Sequence, residues 1–215
     1  MKIENLLFDL DGTIIDSLPG IQYASESAIK AVLPGYPIPD LKPLIGPPIR
    51  EIFSNLYKNL PPEIINNLLN QFRQKYDSEG CIKAKAYPGV KETLSIIWEK
   101  GINFFIITNK PSMPTKKILC YLKLESYFKK VVCPDIKTPP FKDKADMIAY
   151  LLSSENLDPQ FTLFIGDSED DRKAAINCGL QFVAAAYGYG AIRTHCQGEE
   201  KYVLSNFPDL LSLIF

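Results

Sequence analysis

Short, mostly apolar runs alternate along this chain with stretches in which apolar residues recur every three or four positions. The runs cover residues 3–9, 102–108 (INFFIIT), 131–133, 162–166 (TLFIG) and 182–185. Each is β-branched or aromatic and closes on a turn-forming or polar residue, as a strand buried on both faces does. Between the later runs the period becomes helical. Val90, Thr93, Leu94, Ile97 and Trp98 share one face, Ala145, Ile148, Ala149 and Leu152 another, and EDDRKAAINCGL reads as a helix stopped by Gly179. Strand alternating with helix predicts an α/β fold, a doubly wound parallel sheet covered on both faces.

One interval breaks the alternation. Between the first and second runs lies far more chain than the dozen or so residues that one crossover needs. Within it, PPEIINNLLNQFRQKY opens with prolines and places Ile64, Ile65, Leu68, Leu69, Phe72 and Tyr76 on one stripe. Ile21, Ala24, Ala28 and Val32 mark another amphipathic helix, ending near LPGYPIPD. Residues 17–83 therefore read as an inserted all-helical cap of four-helix type, and residues 1–16 and 84–215 as a Rossmann-like core. The joints are IIDSLPG and CIKAKAYPG.

Composition narrows the function without naming it. The chain has 215 residues, 46% of them hydrophobic, and a formal net charge of −1. No basic stripe argues for nucleic acid, and no apolar segment reaches membrane-spanning length, so neither is expected as a partner. MKIENLLFDLDG turns acidic too early to read as a secretory leader. Five cysteines, Cys81, Cys120, Cys133, Cys178 and Cys196, form no close pair, and read as reduced, buried or half-buried thiols in a cytoplasmic protein. The one histidine, His195, stands alone in a polar stretch, which argues against a histidine metal site or triad.

In an open parallel sheet, ligands bind beyond the carboxyl ends of the strands. After the first run come Asp9, Asp11, Gly12 and Thr13; after the second, Thr108, Asn109 and Lys110; after the fourth, Gly166, Asp167, Ser168 and Asp171. Lys142 and Lys144 open the helix leading into the fourth run. Carboxylates, a hydroxyl and an ammonium converging on one edge suit Mg²⁺ and a phosphate. Each element alone has a plainer reading: D-x-D-G is a common Asx turn, acidic residues favour helix N-termini, and most lysines are solvated. Their common placement at successive strand ends is what makes the set specific.

DLDGT, ITN, the lysine before the penultimate helix and GDSEDD together resemble the four motifs of the haloacid-dehalogenase-like superfamily of phosphatases. The helical insertion after the first motif is similar in position to that family's cap. The resemblance implies an aspartyl-phosphate mechanism, with Asp9 as nucleophile and Asp11 as acid and then base. It implies Mg²⁺ held by Asp9, the Asp11 main-chain carbonyl and Asp167, with Asp171 bracing. Thr108, beside Asn109, would hydrogen-bond a phosphoryl oxygen, and the lysine would neutralise Asp9 and the transferring group. Gly12, Thr13 and Ser168 are further candidates for substrate contact.

Two lysines compete for the third motif. Lys142 fits the spacing of the Lys-Pro form, whereas Lys144 fits a Lys-Ala-Asp/Glu-x-Ile opening, which the following ADMIAYLL and later YGYG continue; Lys144 is preferred. DGTIIDS, IGPPIREIF and YPGV look most like phosphoglycolate phosphatases. That places a cap loop with Gly46 and Arg50 toward the substrate, Arg50 pairing with a substrate anion or simply with a neighbouring acid. The expectation is a phosphomonoesterase for a small phosphate ester, phosphoglycolate first, working as a monomer or homodimer. A sugar-phosphate mutase, a nucleotidase, a pyrophosphatase and a catalytically silent binding protein are the rivals.

Overall fold

The structure, a computed structural model, describes residues 2–190 and 202–215, so His195 and Cys196 lie outside the described residues. In chain order, β1 (Asn5–Phe8) and β2 (Ile15–Asp16) precede the helices α1 (Leu18–Val32), α2 (Ile49–Leu56) and α3 (Pro62–Lys75). Then follow β3 (Lys85–Ala86), α4 (Val90–Trp98), β4 (Asn103–Ile107), α5 (Ser112–Tyr121), β5 (Phe128–Val132) and α6 (Lys144–Ser154). The described chain ends with β6 (Thr162–Gly166), α7 (Glu169–Asn177), β7 (Gln181–Ala185), β8 (Val203–Leu204) and α8 (Leu210–Ile214). It divides into two compact units, Ser17–Lys85 and the remainder, Met1–Asp16 with Ala86–Phe215.

The larger unit is built on a six-stranded sheet in the order β5-β4-β1-β6-β7-β8, parallel throughout; β2 and β3 pair separately. The chain leaves β1 for β4 on one side and later returns to β6 on the other. That reversal puts the crevice of the fold at the carboxyl end of β1. Register runs Asn5 to Phe8 against Asn103 to Ile106 on one flank and Thr162 to Ile165 on the other. Alternation then sorts the strand residues. Leu7, Phe105 and Phe164 join Met147, Ile148 and Leu151 of α6 and Ala174 and Ala175 of α7 in one core. Phe8 points the other way, edge-on to Phe104 and Phe128 and stacked on Phe207 at 5.9 Å between centroids.

The amino ends of the three central strands carry a polar ladder. Asn103 Nδ2 donates to Asn5 Oδ1 at 2.8 Å, and Asn5 Nδ2 donates to Thr162 Oγ1 at 3.3 Å. Thr162 Oγ1 in turn donates to the Asp158 carbonyl at 2.7 Å. Each buried group has a partner, and the matched positions pin the register.

The structure differs from the pattern reading at particular places. β5 begins three residues before the expected run, because an edge strand accommodates the exposed Lys129, and Lys130 reaches Glu155 at 2.8 Å. The buried stripe of α6 is Lys144, Met147, Ile148 and Leu151, turned by one residue from the expected one, with Ala149 exposed. Trp98 is exposed at the end of α4 rather than on its buried face. The helical unit holds three α-helices among the described residues where a four-helix type was expected, and α3 runs on through a π-helical turn, Tyr76–Gly80. Its core stripe is Ile65, Leu68, Leu69, Phe72 and Tyr76, while Ile64 is half-buried. Of the described cysteines, all free, Cys120 is exposed, against the expectation of burial. No helix among the described residues is long and apolar enough to cross a membrane.

Candidate active site

Asp9 is the first residue past β1, and its N–H still donates to the Ile165 carbonyl at 2.8 Å, so the sheet itself holds it. The side chain is buried, with Oδ1 2.7 Å from the Lys144 ammonium. Lys144 opens α6 directly after the N-cap Asp143, whose carboxylate accepts the Asp146 N–H at 2.9 Å. The same ammonium also binds Asp171 Oδ1. Asp171 sits in the first turn of α7 in a capping box with Ser168. Its Oδ2 accepts from Ser168 Oγ at 2.7 Å and Ser168 N at 3.1 Å, and its own N–H donates to that hydroxyl. Both oxygens of Asp171 are thereby engaged.

Asp167 follows β6 and is buried. Its Oδ2 accepts from Tyr189 N at 2.7 Å and Gly190 N at 3.1 Å. Gly12 lies so close that a Cβ there would stand 2.1 Å from that oxygen, and its φ of +82° suits glycine alone. Gly12 thus makes room for Asp167.

Oxygens of Asp9, Asp167 and Asp171 all lie within 4.8 Å of one another. Burial raises the Asp9 carboxyl well above its ordinary pKa; Lys144 opposes the shift, and the neighbouring aspartates add to it. Asp167 is pushed up to about 6, first by burial and then by Asp171, against the N–H groups of Gly190 and Tyr189 and the charge of Lys144. For Lys144, burial favours the neutral amine, but Asp171 and Asp9 outweigh it and hold the ammonium charged. One cation among three buried carboxylates leaves a negative hollow lined by hard oxygen donors, which fits a divalent ion such as Mg²⁺. Asp9 and Asp167 each give one oxygen to the protein donors just described.

Asp11 lies beside this cluster, its Oδ1 3.1 Å from the ammonium of Lys110. Thr108 is buried after β4, and its hydroxyl oxygen accepts the Lys110 N–H at 3.1 Å. Thr13 is buried, its carbonyl accepting from the Tyr187 hydroxyl at 2.7 Å.

The structure therefore brings together Asp9, Asp11, Gly12, Thr13, Thr108, Lys144, Asp167, Ser168 and Asp171. It does not bring Lys142, which precedes the N-cap, is exposed, and donates only its backbone N–H to Asp146 at 3.3 Å. Asn109 is exposed, turned out between Thr108 and Lys110. Ser168 directs its hydroxyl to Asp171 in the helix cap. In the helical unit, Gly46 is exposed at a φ of +141°, and Arg50 is exposed and donates to Asn66 Oδ1 at 3.1 Å instead of pairing with Glu51. Sequence reasoning placed Lys110 after the second run and quoted YGYG, but gave Lys110, Tyr187 and Tyr189 no role. The signal for the tyrosines was YGYG, whose two glycines crowd Asp167.

The sequence model for haloacid dehalogenase-like hydrolases matches residues 6–185. The chain belongs to that family. Among similar proteins, this hydrolase is 29% identical to the phosphoglycolate phosphatase of Vibrio vulnificus over 99% of its own length and 96% of the relative's. It is 27% identical to a 5'-nucleotidase of Pseudomonas aeruginosa, covering 91% and 89% of the two chains. A crystal structure described as a predicted phosphoglycolate phosphatase from Haemophilus somnus superposes with a TM-score of 0.87 at 25% identity, over 100% of this chain and 99% of that one.

Proposed function

We propose that this hydrolase is an Mg²⁺-dependent phosphatase that cleaves small phosphate monoesters through an aspartyl-phosphate on Asp9. One observation carries the reading: a carboxylate buried at the end of the central strand, with an ammonium 2.7 Å away and two further carboxylates around it. A carboxylate attacks an anionic phosphate only where cations offset the repulsion. Lys144 is one such cation. Asp9, Asp167 and the Asp11 main-chain carbonyl would hold Mg²⁺, with Asp171 bracing them through Lys144. When bound, the ion would supply positive charge to offset that of the attacking carboxylate and the phosphoryl group.

Asp9 attacks phosphorus, and the ester P–O bond breaks as Asp11 passes a proton to the leaving oxygen. Asp11 then takes a proton from the water that hydrolyses the intermediate. The Thr108 hydroxyl accepts from Lys110 N, so its own hydrogen is left to donate to a phosphoryl oxygen. The inserted helical unit, residues 17–83 with Gly46 and Arg50 in it, is assigned to substrate choice as a cap. Phosphoglycolate is the first substrate to try, because similar proteins carry that name. The nucleotidase relative makes a nucleoside 5'-monophosphate the second. Free thiols at the described cysteines support a reducing, cytoplasmic setting.

The test is inorganic phosphate release from a panel of phosphoglycolate, nucleoside monophosphates and sugar phosphates, with Mg²⁺ and with chelator. Release from at least one ester, lost on chelation and restored by Mg²⁺, is expected. Asp9→Asn should lower it by roughly a thousandfold or more while the variant still unfolds cooperatively. No release from any ester, or an active Asp9→Asn, overturns the reading.

A further inference from the structure

Lys110 has no part in the chemistry described so far, yet it and Lys144 are the buried lysines among the described residues. An ammonium is costly to bury without a partner. Lys144 answers to Asp9 and Asp171; Lys110 answers to Asp11, at 3.1 Å from Oδ1, with its side chain 7% exposed against 21% for Asp11. Asp11 Oδ1 is itself closed to solvent and makes no hydrogen bond, so the Lys110 charge is what compensates it, and the open part of that side chain lies in its other atoms.

The backbone around Lys110 is held by two threonine hydroxyls. Thr108 Oγ1 accepts its N–H at 3.1 Å, and Thr115 Oγ1 donates to the Pro111 carbonyl at 2.8 Å, with the Lys110 carbonyl 3.5 Å away. Pro111, next in the chain, restricts Lys110 to extended backbone. A surface lysine needs none of these restraints.

We infer that Lys110 is the positioning residue for Asp11, its ammonium gripping Oδ1 so that Oδ2 is the oxygen that carries the proton to the leaving alcohol. The inference rests on Asp11 acting as the acid in the reaction proposed above. In that step the Oδ2–H bond breaks and its proton goes to the ester oxygen. That oxygen takes the electron pair of the breaking P–O bond as the bond from Asp9 to phosphorus forms. Throughout, Oδ1 stays ion-paired with the Lys110 ammonium, which stops the carboxyl from turning its proton-bearing oxygen away.

The dependence on leaving group isolates this role. An alkoxide needs a proton to depart, whereas p-nitrophenolate does not, and kcat/KM reports only the steps through departure of the alcohol. The full-length enzyme with Mg²⁺ is assayed on p-nitrophenyl phosphate and on whichever alkyl phosphate of the panel it turns over fastest. Lys110→Met should lose roughly ten- to a hundredfold more kcat/KM on the alkyl ester than on the aryl one, within the span that a positioned acid contributes. Asp11→Asn should show the same selective loss, larger still. An equal loss on both esters with a raised KM means that Lys110 binds the phosphoryl group, and an equal loss in kcat alone means a structural role. Either overturns the inference while the reading of Asp11 stands. If Asp11→Asn itself shows no selectivity, the acid assignment fails and the inference with it.

Discussion

The same three strands, β1, β4 and β6, end in opposite ways. At their amino ends Asn103, Asn5 and Thr162 join hands across the sheet, all neutral and hydrogen-bonded at 2.8–3.3 Å. At their carboxyl ends Asp9, Thr108 and Asp167 stand in the corresponding places, and two of the three are buried carboxylates with raised pKa values. The same three parallel strands thus support one end where the polar groups pair in register and another where like charges are pressed together. The first contributes to register and stability. The second stores an electrostatic imbalance that a cation and a phosphoryl group can relieve, and that is what a phosphoryl-transfer site requires.

The sharpest way to break this contrast is to remove the ammonium that holds the acidic end together. Lys144→Met leaves Asp9 and Asp171 buried without it and should cost about 3–5 kcal/mol in urea unfolding. A loss below 1 kcal/mol would show that the carboxylates are not electrostatically stressed.

Asp167 gives the next effect, in chelated protein. Its folded-state carboxyl titrates near about 6 against an ordinary 3.8, so it binds a proton more readily folded than unfolded. The stability this contributes is complete below about 3.8 and disappears as pH rises through about 6. Over that window the group should remove on the order of 3 kcal/mol. Asp167→Asn keeps an oxygen for Tyr189 N and Gly190 N, and should therefore flatten that part of the stability-versus-pH curve. A variant curve parallel to the parent would place the titration elsewhere.

The neutral end should respond more mildly and without touching chemistry. Asn5→Leu strands Asn103 Nδ2 and takes from Thr162 Oγ1 the donor it accepts from, and a loss of about 1–3 kcal/mol in chemical denaturation is expected with phosphate release per folded molecule unchanged. A fall in turnover would mean that the two ends are coupled. Smallest of all is Lys142→Ala, which should stay within about 0.5 kcal/mol and within twofold in activity, as an exposed side chain does. A large loss of activity there would return Lys142 to the site.

Why some of this could be read in advance, and some not, is clearest at the lysines. Apolar runs of four to seven residues marked β1, β4, β6 and β7, because a strand buried on both faces is mostly apolar along its length. The edge strands β5 and β8 escaped or blurred, since their outer positions are free to be charged or the strand is only two residues long. Lys144 was chosen over Lys142 from the letters around it, but a hydrophobic-periodicity argument assigned its helix a stripe beginning at Ala145. That argument treats every lysine as solvated, whereas this one faces inward because Asp9 and Asp171 wait for it. Lys110 passed for the polar end of a strand for the same reason.

Local patterning was enough to determine the alternation of strand and helix, the place of the helical insertion and the set of polar residues at the strand ends. Those features depend on side-chain period and turn chemistry, which act over a few neighbouring residues. Only the tertiary structure decided which charges meet. The pairing of Lys144 with Asp9 spans 135 positions and that of Tyr189 N with Asp167 spans 22. Such partners are selected by strand order and by burial, where a charge must find its complement because water is absent.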